Sequence, residues 1–566
     1  LNKTLKIIAL AVGGLVALIA LLFAALTLLF DPNDYRDDII QAVKTATGRE
    51  LKIEGRLGWS LIPRLGITTE RVELGNAPGF GRDPFARIDA AGVSVEWLPL
   101  LTGRVSVNTI YLDGLNVNLA NNAAGQSNWS DLVTPRETRT EPAGKPAGQA
   151  SLAAFAAQRL DIRRTTLTWQ DQATGARYAA RDLALQAGPL ALDQPMGIEL
   201  SFELEYGEPV RRVPVKLQTQ LVYAADRLAL ERLALGVNGS HLTGSAEVVN
   251  LANPAVRFDM ALDQFDLDKY LPGASPPATA GTGKDSKTAA AGPAELPLPL
   301  LRTLDVQGKF AIGKLKAIGL RTEDIRVQLA ARNGVIQFGP NSAKLYGGTY
   351  ESRTTLDVRS ATPKIKLEET LNSIQLGPFL KDAGVFDKFS GTAEIRLALT
   401  AQGAEANALK RTLNGKVAVA ARDGKIEGVN FEKLIAEAKQ LADQLRGKQA
   451  SAAPAATDET AFKSLRATFK LTNGVAVTDD FTLDGPTVRA KGGGNADLVK
   501  ETLDARLKVT VAEAAGRKGS TVPVTVSGPF AKPSFGVDVG EALKDEAGRK
   551  LEKKLEQKLE KYFQKR

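Results

Sequence analysis

The chain of 566 residues has no cysteine and a single histidine, His241. Without thiols there is no disulfide, no cysteine nucleophile and no thiolate metal site. One imidazole cannot build a histidine metal cluster, and its setting, GSHLTG at the start of a strand, gives it a structural role. No HExxH, GxSxG, Walker or dinucleotide-binding pattern occurs, so the common hydrolase, nucleotide and metalloprotease chemistries have no residues to work with. The acids spaced along strands, Glu203/Glu205 and Asp259/Asp263, alternate with apolar residues and belong to polar faces. A carboxylate-only hydrolase finds no convergent pair here. Neither charge sign dominates. Lys and Arg total 73 against 64 acids, interleaved along the chain, and the net +9 is no nucleic-acid footprint.

One long apolar run is present. Ile7–Phe30 carries no charge, and its about 24 residues make roughly 36 Å of helix, enough to cross a hydrocarbon core of about 30 Å. Lys3 and Lys6 precede it, which directs the N-terminus to the cytoplasm and the bulk of the chain to the far side. A cleaved signal peptide is the alternative. The run exceeds a 7–15-residue signal core and closes on Leu28, Leu29 and Phe30, so a retained single-pass anchor is expected. Asp31-Pro32 follows at once and opens a helix over 31–47, with stripe residues Tyr35, Ile39, Ile40, Val43 and Ala46 and a capping Gly48.

Beyond it the pattern is strand and turn: about 25–30 strands with one apolar and one polar face, the mark of a long antiparallel sheet. Leu115, Val117 and Leu119 share a face against Asn116 and Asn118; Phe202 and Leu204 alternate with Glu203 and Glu205; Phe258, Met260 and Leu262 alternate with Asp259 and Asp263. Three low-complexity stretches, 131–151, 273–296 and 447–460, read as disordered loops. They separate a helix-plus-sheet segment at 31–130, a central sheet at 152–272, a continuation at 297–446 with a helix over 431–446, and a C-terminal sheet at 461–540. A charged helix ends the chain at 541–566. Asp423-Gly424 and Asn473-Gly474 read as hairpin turns, and 379–389 as a helical turn. Trp59, Trp97 and Trp129 read as covers for the sheet or its end.

Several phrases carry a resemblance: DPNDYRDDIIQAV, TGRELKIEGRLGWSLIPRLGI, FDLDKYLP (265–272), AKLYGGTYE (343–351), LNGKVAVAARDGKIEGVNF (413–431) and GPFAKPSFGVD (528–538). The chain resembles the AsmA family of inner-membrane-anchored proteins of Gram-negative bacteria. The resemblance implies a curled, taco-like β-sheet with a hydrophobic groove, similar to bridge-like lipid transfer proteins. It also implies a non-enzymatic periplasmic role in outer-membrane biogenesis, with no cofactor, no metal and no catalytic residues.

On that basis Leu115, Val117, Leu119, Phe202, Leu204, Phe258, Met260 and Leu262 are the candidate groove lining, and phospholipids of the inner membrane are the expected partners. The competing expectation is a tethered scaffold or assembly factor for outer-membrane or other envelope proteins. A sheet with one apolar face must bury it in another layer, close on itself, or leave it for something apolar to cover.

Overall fold

The computed structural model describes residues 31–60, 65–96, 99, 106–133, 158–190, 193–269, 297–384, 388–427, 430–431, 433, 459–511, 520–530 and 534–537. The apolar run 7–30 with Lys3 and Lys6, Trp97, the helix beyond Lys433, the C-terminal helix and most of the three low-complexity stretches lie outside these residues. Among the described residues no helix is long and apolar enough to cross a membrane. The chain divides into two units, 1–251 and 252–566.

In the first unit Asp31 caps a short 3-10 turn, Pro32–Tyr35, by accepting from the Asn33 amide at 2.9 Å. The helix Arg36–Thr47 follows and stops at Gly48, whose φ of 74° is the left-handed cap that glycine adopts without strain. The helix is pinned to the sheet. Asn33 donates to the Leu57 carbonyl and accepts from its amide, both at 2.9 Å, while Arg36 donates to the Ile53 carbonyl. Twelve strands follow: β1 (Leu51–Ile53), β2 (Gly58–Ser60), β3 (Gly66–Leu74), β4 (Ala86–Val95), β5 (Val107–Asp113), β6 (Asn116–Asn121), β7 (Arg159–Asp171), β8 (Arg177–Gly188), β9 (Met196–Tyr206), β10 (Arg211–Ala224), β11 (Arg227–Val237) and β12 (Ser240–Val249).

Near the start of this sheet, Arg49 is buried. Its side chain pairs with Asp131, donates to the Asn128 carbonyl at 2.7 Å and lies 4.5 Å from the Phe85 ring centroid. Asn128, fully buried, spends its amide on Asn76 and on the Asn118 carbonyl and accepts from the Ala120 amide. These bonds hold 127–133 against the first strands.

The second unit has fourteen strands: β13 (Ala255–Asp266), β14 (Asp305–Ala317), β15 (Leu320–Arg332), β16 (Val335–Leu345), β17 (Gly348–Asp357), β18 (Lys364–Gln375), β19 (Phe389–Gln402), β20 (Asn414–Glu427), β21 (Glu459–Thr472), β22 (Val475–Asp484), β23 (Val488–Asp497), β24 (Thr502–Val511), β25 (Ser520–Pro529) and β26 (Ser534–Val537). From β13 onward each strand pairs with the next in sequence.

The sheet is mostly antiparallel. Among the described residues it departs from the expected pattern at three pairings, β5–β7, β6–β7 and β13–β14, which are parallel. A parallel neighbour requires the chain to return to the starting end, a crossover of a dozen or more residues. The intervals that supply these returns, 122–158 and 267–304, contain the first two low-complexity stretches.

Two local expectations change. Asp423-Gly424 is no turn: β20 runs through it, with Asp423 at φ 50° forming a bulge and Gly424 opposite Phe462. A Cβ at 424 would lie 2.3 Å from that ring, so glycine is needed for the close approach rather than for a hairpin. The helix expected at 379–389 lies instead at Leu376–Asp382. Pro378 fits its first turn, Gly384 at φ 65° follows its end, and Phe389 opens β19. Asn473-Gly474 is the tight turn expected, with φ of 49° and 80°.

Tyr346-Gly347 and Ile318-Gly319 adopt the same positive φ pair, which neither Tyr nor Ile favours. Each is held from outside. Asp268 accepts from the amides of Ile318 and Gly319, and the Tyr346 hydroxyl donates to Asp382 at 2.9 Å while accepting from the Arg321 amide. These contacts give a structural account of the FDLDKYLP and AKLYGGTYE phrases.

Candidate functional site: an uncovered apolar sheet face

Residues in register on neighbouring strands project from the same face, so the pairing fixes which side chains lie together. In the first unit Leu112, Ile162, Leu185, Leu200, Leu217, Leu235 and Leu242 form one lateral row over seven strands. All seven are aliphatic and all are half-buried; none reaches the burial of a two-layer core. Val117 joins Leu167, Ala180, Leu204 and Val213 in a second row on this face. Leu119 joins Trp169, Tyr178 and Tyr206 in a third, and Phe202 joins Val215 and Val237 in a fourth. Leu115 lies just before β6, half-buried, its carbonyl bonded by the Thr166 amide.

The second unit repeats this at greater length. Phe258, Gly308, Leu329, Phe338, Thr354, Leu367, Leu399, Gly415, Leu471, Ala476, Ala496, Leu503 and Gly528 are consecutive register partners from β13 to β25. Twelve of the thirteen are apolar or glycine, and twelve strand spacings of about 4.8 Å extend roughly 58 Å along the sheet contour. Met260 and Leu262 lie on the same face, opposite Phe310 and Ile312. Phe338 is 38% exposed, and in the first unit Tyr178 and Tyr223 are 45% and 48% exposed on the apolar face. Large apolar groups left this open are what an interior would have covered.

One rim is closed. Leu376 from the short helix packs with Ala393, Ala421, Phe462, Leu483 and Val509 in a dry cluster, and Phe389 lies 5.4 Å from Phe462. Away from it much of the face is half-buried, with buried positions at Ala331, Ile336, Leu471 and Ala476. Bulges at Arg164, Asp182 and Arg232 in the first unit, and at Asp324, Ser373 and Asp423 in the second, sit at shifts in the ladder and bend the strands that carry them.

The opposite face is polar and ion-paired. Glu205 bonds Arg181 and also pairs with Arg212 at 3.0 Å, and the Arg181 bond holds its carboxyl below the usual range. These charges sit across strands from one another on an outer surface, which disposes of Glu203/Glu205 as catalytic acids. His241 lies exposed on the polar face beside Gly236. Among the described residues no group of three or more metal-ligating side chains assembles.

An open apolar sheet face backed by a polar one is a surface suited to binding apolar matter. Comparison with protein-family models matches residues 1–197 and 214–481 to the AsmA family. The chain belongs to the AsmA family. Among characterised proteins it is similar to Protein AsmA of Escherichia coli (strain K12), 24% identical over 600 aligned positions that cover 95% of this chain and 94% of that one. AsmA-family membership makes this a non-enzymatic protein of the bacterial inner membrane and periplasm, implicated in membrane lipid trafficking and outer-membrane biogenesis.

The sequence-level candidates were drawn from strands whose alternation is visible in isolation. Rows such as Leu112–Leu242 escaped because a row is a property of pairing, and bulges at Arg164 and Asp182 break the alternation within β7 and β8.

Proposed function

We propose that the apolar face of each unit is a groove floor on which phospholipid acyl chains lie while they move between the inner and outer membranes. The observation that carries this reading is the continuous run of register partners from Phe258 to Gly528, all apolar or glycine but for Thr354 and half-exposed over much of its length. Each methylene removed from water onto such a surface contributes about 0.8 kcal/mol, enough to hold a lipid without a specific pocket. Leu115, Val117, Leu119, Phe202 and Leu204 line the face of the first unit, and Phe258, Met260 and Leu262 that of the second.

Residues 7–30 anchor the chain as a single membrane pass, with Lys3 and Lys6 on the cytoplasmic side. The helix Arg36–Thr47 supports this placement. Arg36, Ile40, Val43 and Thr47 are its half-buried positions, whereas Ile39 is 41% exposed and Tyr35, just before the helix, 49%. Tyr35, Ile39, Ala42 and Ala46 recur at helical spacing as a second apolar stripe. That stripe begins five residues after Phe30, where an interfacial tyrosine belongs.

The scaffold reading draws on β26, which among the described residues pairs on one side only and offers an edge to another chain. Mass spectrometry of the solubilised full chain separates the two. Phospholipid is expected to co-purify with the wild type and to be lost from a Leu329→Lys, Leu367→Lys, Leu399→Lys variant of unchanged circular dichroism. Undiminished lipid in that variant overturns the groove.

A further inference from the structure

The apolar face of the second unit is interrupted by a cluster of polar side chains around Glu369. Glu369 stands on β18 between Leu367 and Leu371, in register with Ser352 on β17 and Leu397 on β19, and Asn341 on β16 completes the row. With Tyr350 these side chains make a polar island whose flanking rows, Leu367–Leu399 and Leu371–Ile395–Val419, are apolar.

The island is organised. Asn341 Nδ2 donates to Ser352 Oγ at 3.2 Å, and beside them the Tyr350 hydroxyl donates to Glu369 Oε1 at 3.0 Å. Three strands thus contribute polar side chains to the island, and the carboxylate receives the bond from Tyr350. Burial pushes the Tyr350 phenol up, and the neighbouring Glu369 carboxylate adds to this, so the phenol remains a donor at neutral pH.

No cation meets that carboxylate among the described residues. Lys366 pairs with Glu368, on the opposite face, and the bond from Tyr350 is what Glu369 has. While water reaches the half-buried side chain this is tolerable. Hydrocarbon lying on the flanking rows removes the water, and a carboxylate under hydrocarbon without a partner is costly. The molecule that removes the water must therefore bring the opposite charge.

We propose that Glu369 receives the ammonium group of a phospholipid head group, so that amine-bearing lipids are held at this station in preference to lipids lacking a cation. The proposal rests on the acyl-chain reading above and adds a head-group preference to it.

The full chain is incubated with vesicles of equal phosphatidylethanolamine and phosphatidylglycerol, re-isolated, and its bound lipid counted by mass spectrometry. The wild type is expected to carry phosphatidylethanolamine in several-fold excess over the input ratio. Glu369→Gln, which keeps the shape and an acceptor for Tyr350, is expected to return the ratio to that of the vesicles with total lipid per chain unchanged. A wild-type ratio equal to the input, or an excess that survives Glu369→Gln, overturns the proposal and leaves the groove standing. A wild type that carries no lipid overturns both. The wild-type enrichment needs no variant, so a misfolded Glu369→Gln does not rescue the idea.

Discussion

Gly308 and Phe258 offer a test in which the sign of an effect changes. They are register partners on the parallel pair β13–β14, and the Phe258 ring lies over the glycine. A Cβ built at position 308 falls 2.3–2.4 Å from three ring carbons, against about 3.5–4.0 Å for an ordinary carbon contact. Gly308→Ala must therefore drive the ring more than about 1 Å off its seat, an overpacking cost of about 1–3 kcal/mol. With Phe258→Ala in place the obstruction is gone. The same Gly308→Ala then gains the ordinary advantage of alanine over glycine within a regular element, about 0.5–1 kcal/mol. The coupling between the two positions is thus expected to be about 1.5–4 kcal/mol, from a pair with no polar atom in contact. Because a chain with two units does not unfold in one step, the readout is local: hydrogen exchange of the amides of 256–262 and 306–312, with and without each substitution. Faster exchange in Gly308→Ala and slower exchange on adding it to Phe258→Ala is the expected pattern. Slower exchange in both backgrounds refutes the reasoning, since it means the ring never occupied the space.

The chain's lack of cysteine makes single labels clean. A fluorophore on Ile39→Cys in vesicle-reconstituted protein is expected to be shielded from aqueous iodide and quenched by shallow lipid spin labels, and one on Gln41→Cys to be open to iodide; equal iodide access at both positions removes the membrane from contact with that helix. Asp357 is held at a pKa of about 2 by its bidentate bond to Arg359 and the Arg359 amide. A lowered folded value stabilises the ionised native state above the unfolded value, and that contribution fades as pH falls from about 4 through 2. Carboxyl NMR is expected to show that midpoint, moving back toward 3.8 in Arg359→Gln; an unmoved midpoint contradicts the assignment.

How much of this was legible in the sequence depends on the range of the interaction. Features set within a few residues read directly: the Asp31 and Gly48 caps, the Asn473-Gly474 turn, and the alternation in β9 and β13. Features set by pairing did not. Asp423-Gly424 looks like a turn because its local chemistry is that of a turn, and only the strands on both sides of it make it a bulge. Ile318-Gly319 offers only its glycine as a turn signal, and its geometry is held by Asp268 fifty residues earlier. Arg49 reads as one more surface arginine until Asp131 and Asn128 close over it. Glu369 reads as the second acid of a polar pair with Glu368, yet the two point to opposite faces, one to Lys366 and one into the apolar rows.

The parallel joints bear on which functional reading the fold favours. A low-complexity crossover returns the chain to the near end of the sheet, and a return displaced by one residue would turn every side chain of the next strand to the other face. At β13–β14 it does not: Phe258 meets Gly308, Met260 meets Phe310 and Leu262 meets Ile312. At β6–β7 the same holds, Val117 meeting Leu167 and Leu119 meeting Trp169. The bulges act alike, shifting register within a strand while Ile162 and Leu167 stay on one face across Arg164. Within each unit, then, the path of the chain varies in direction, spacing and crossover, while the apolar face continues. A scaffold that binds through edges has no need of that continuity. A surface along which acyl chains move does, because one reversed strand would place a band of charge across the path.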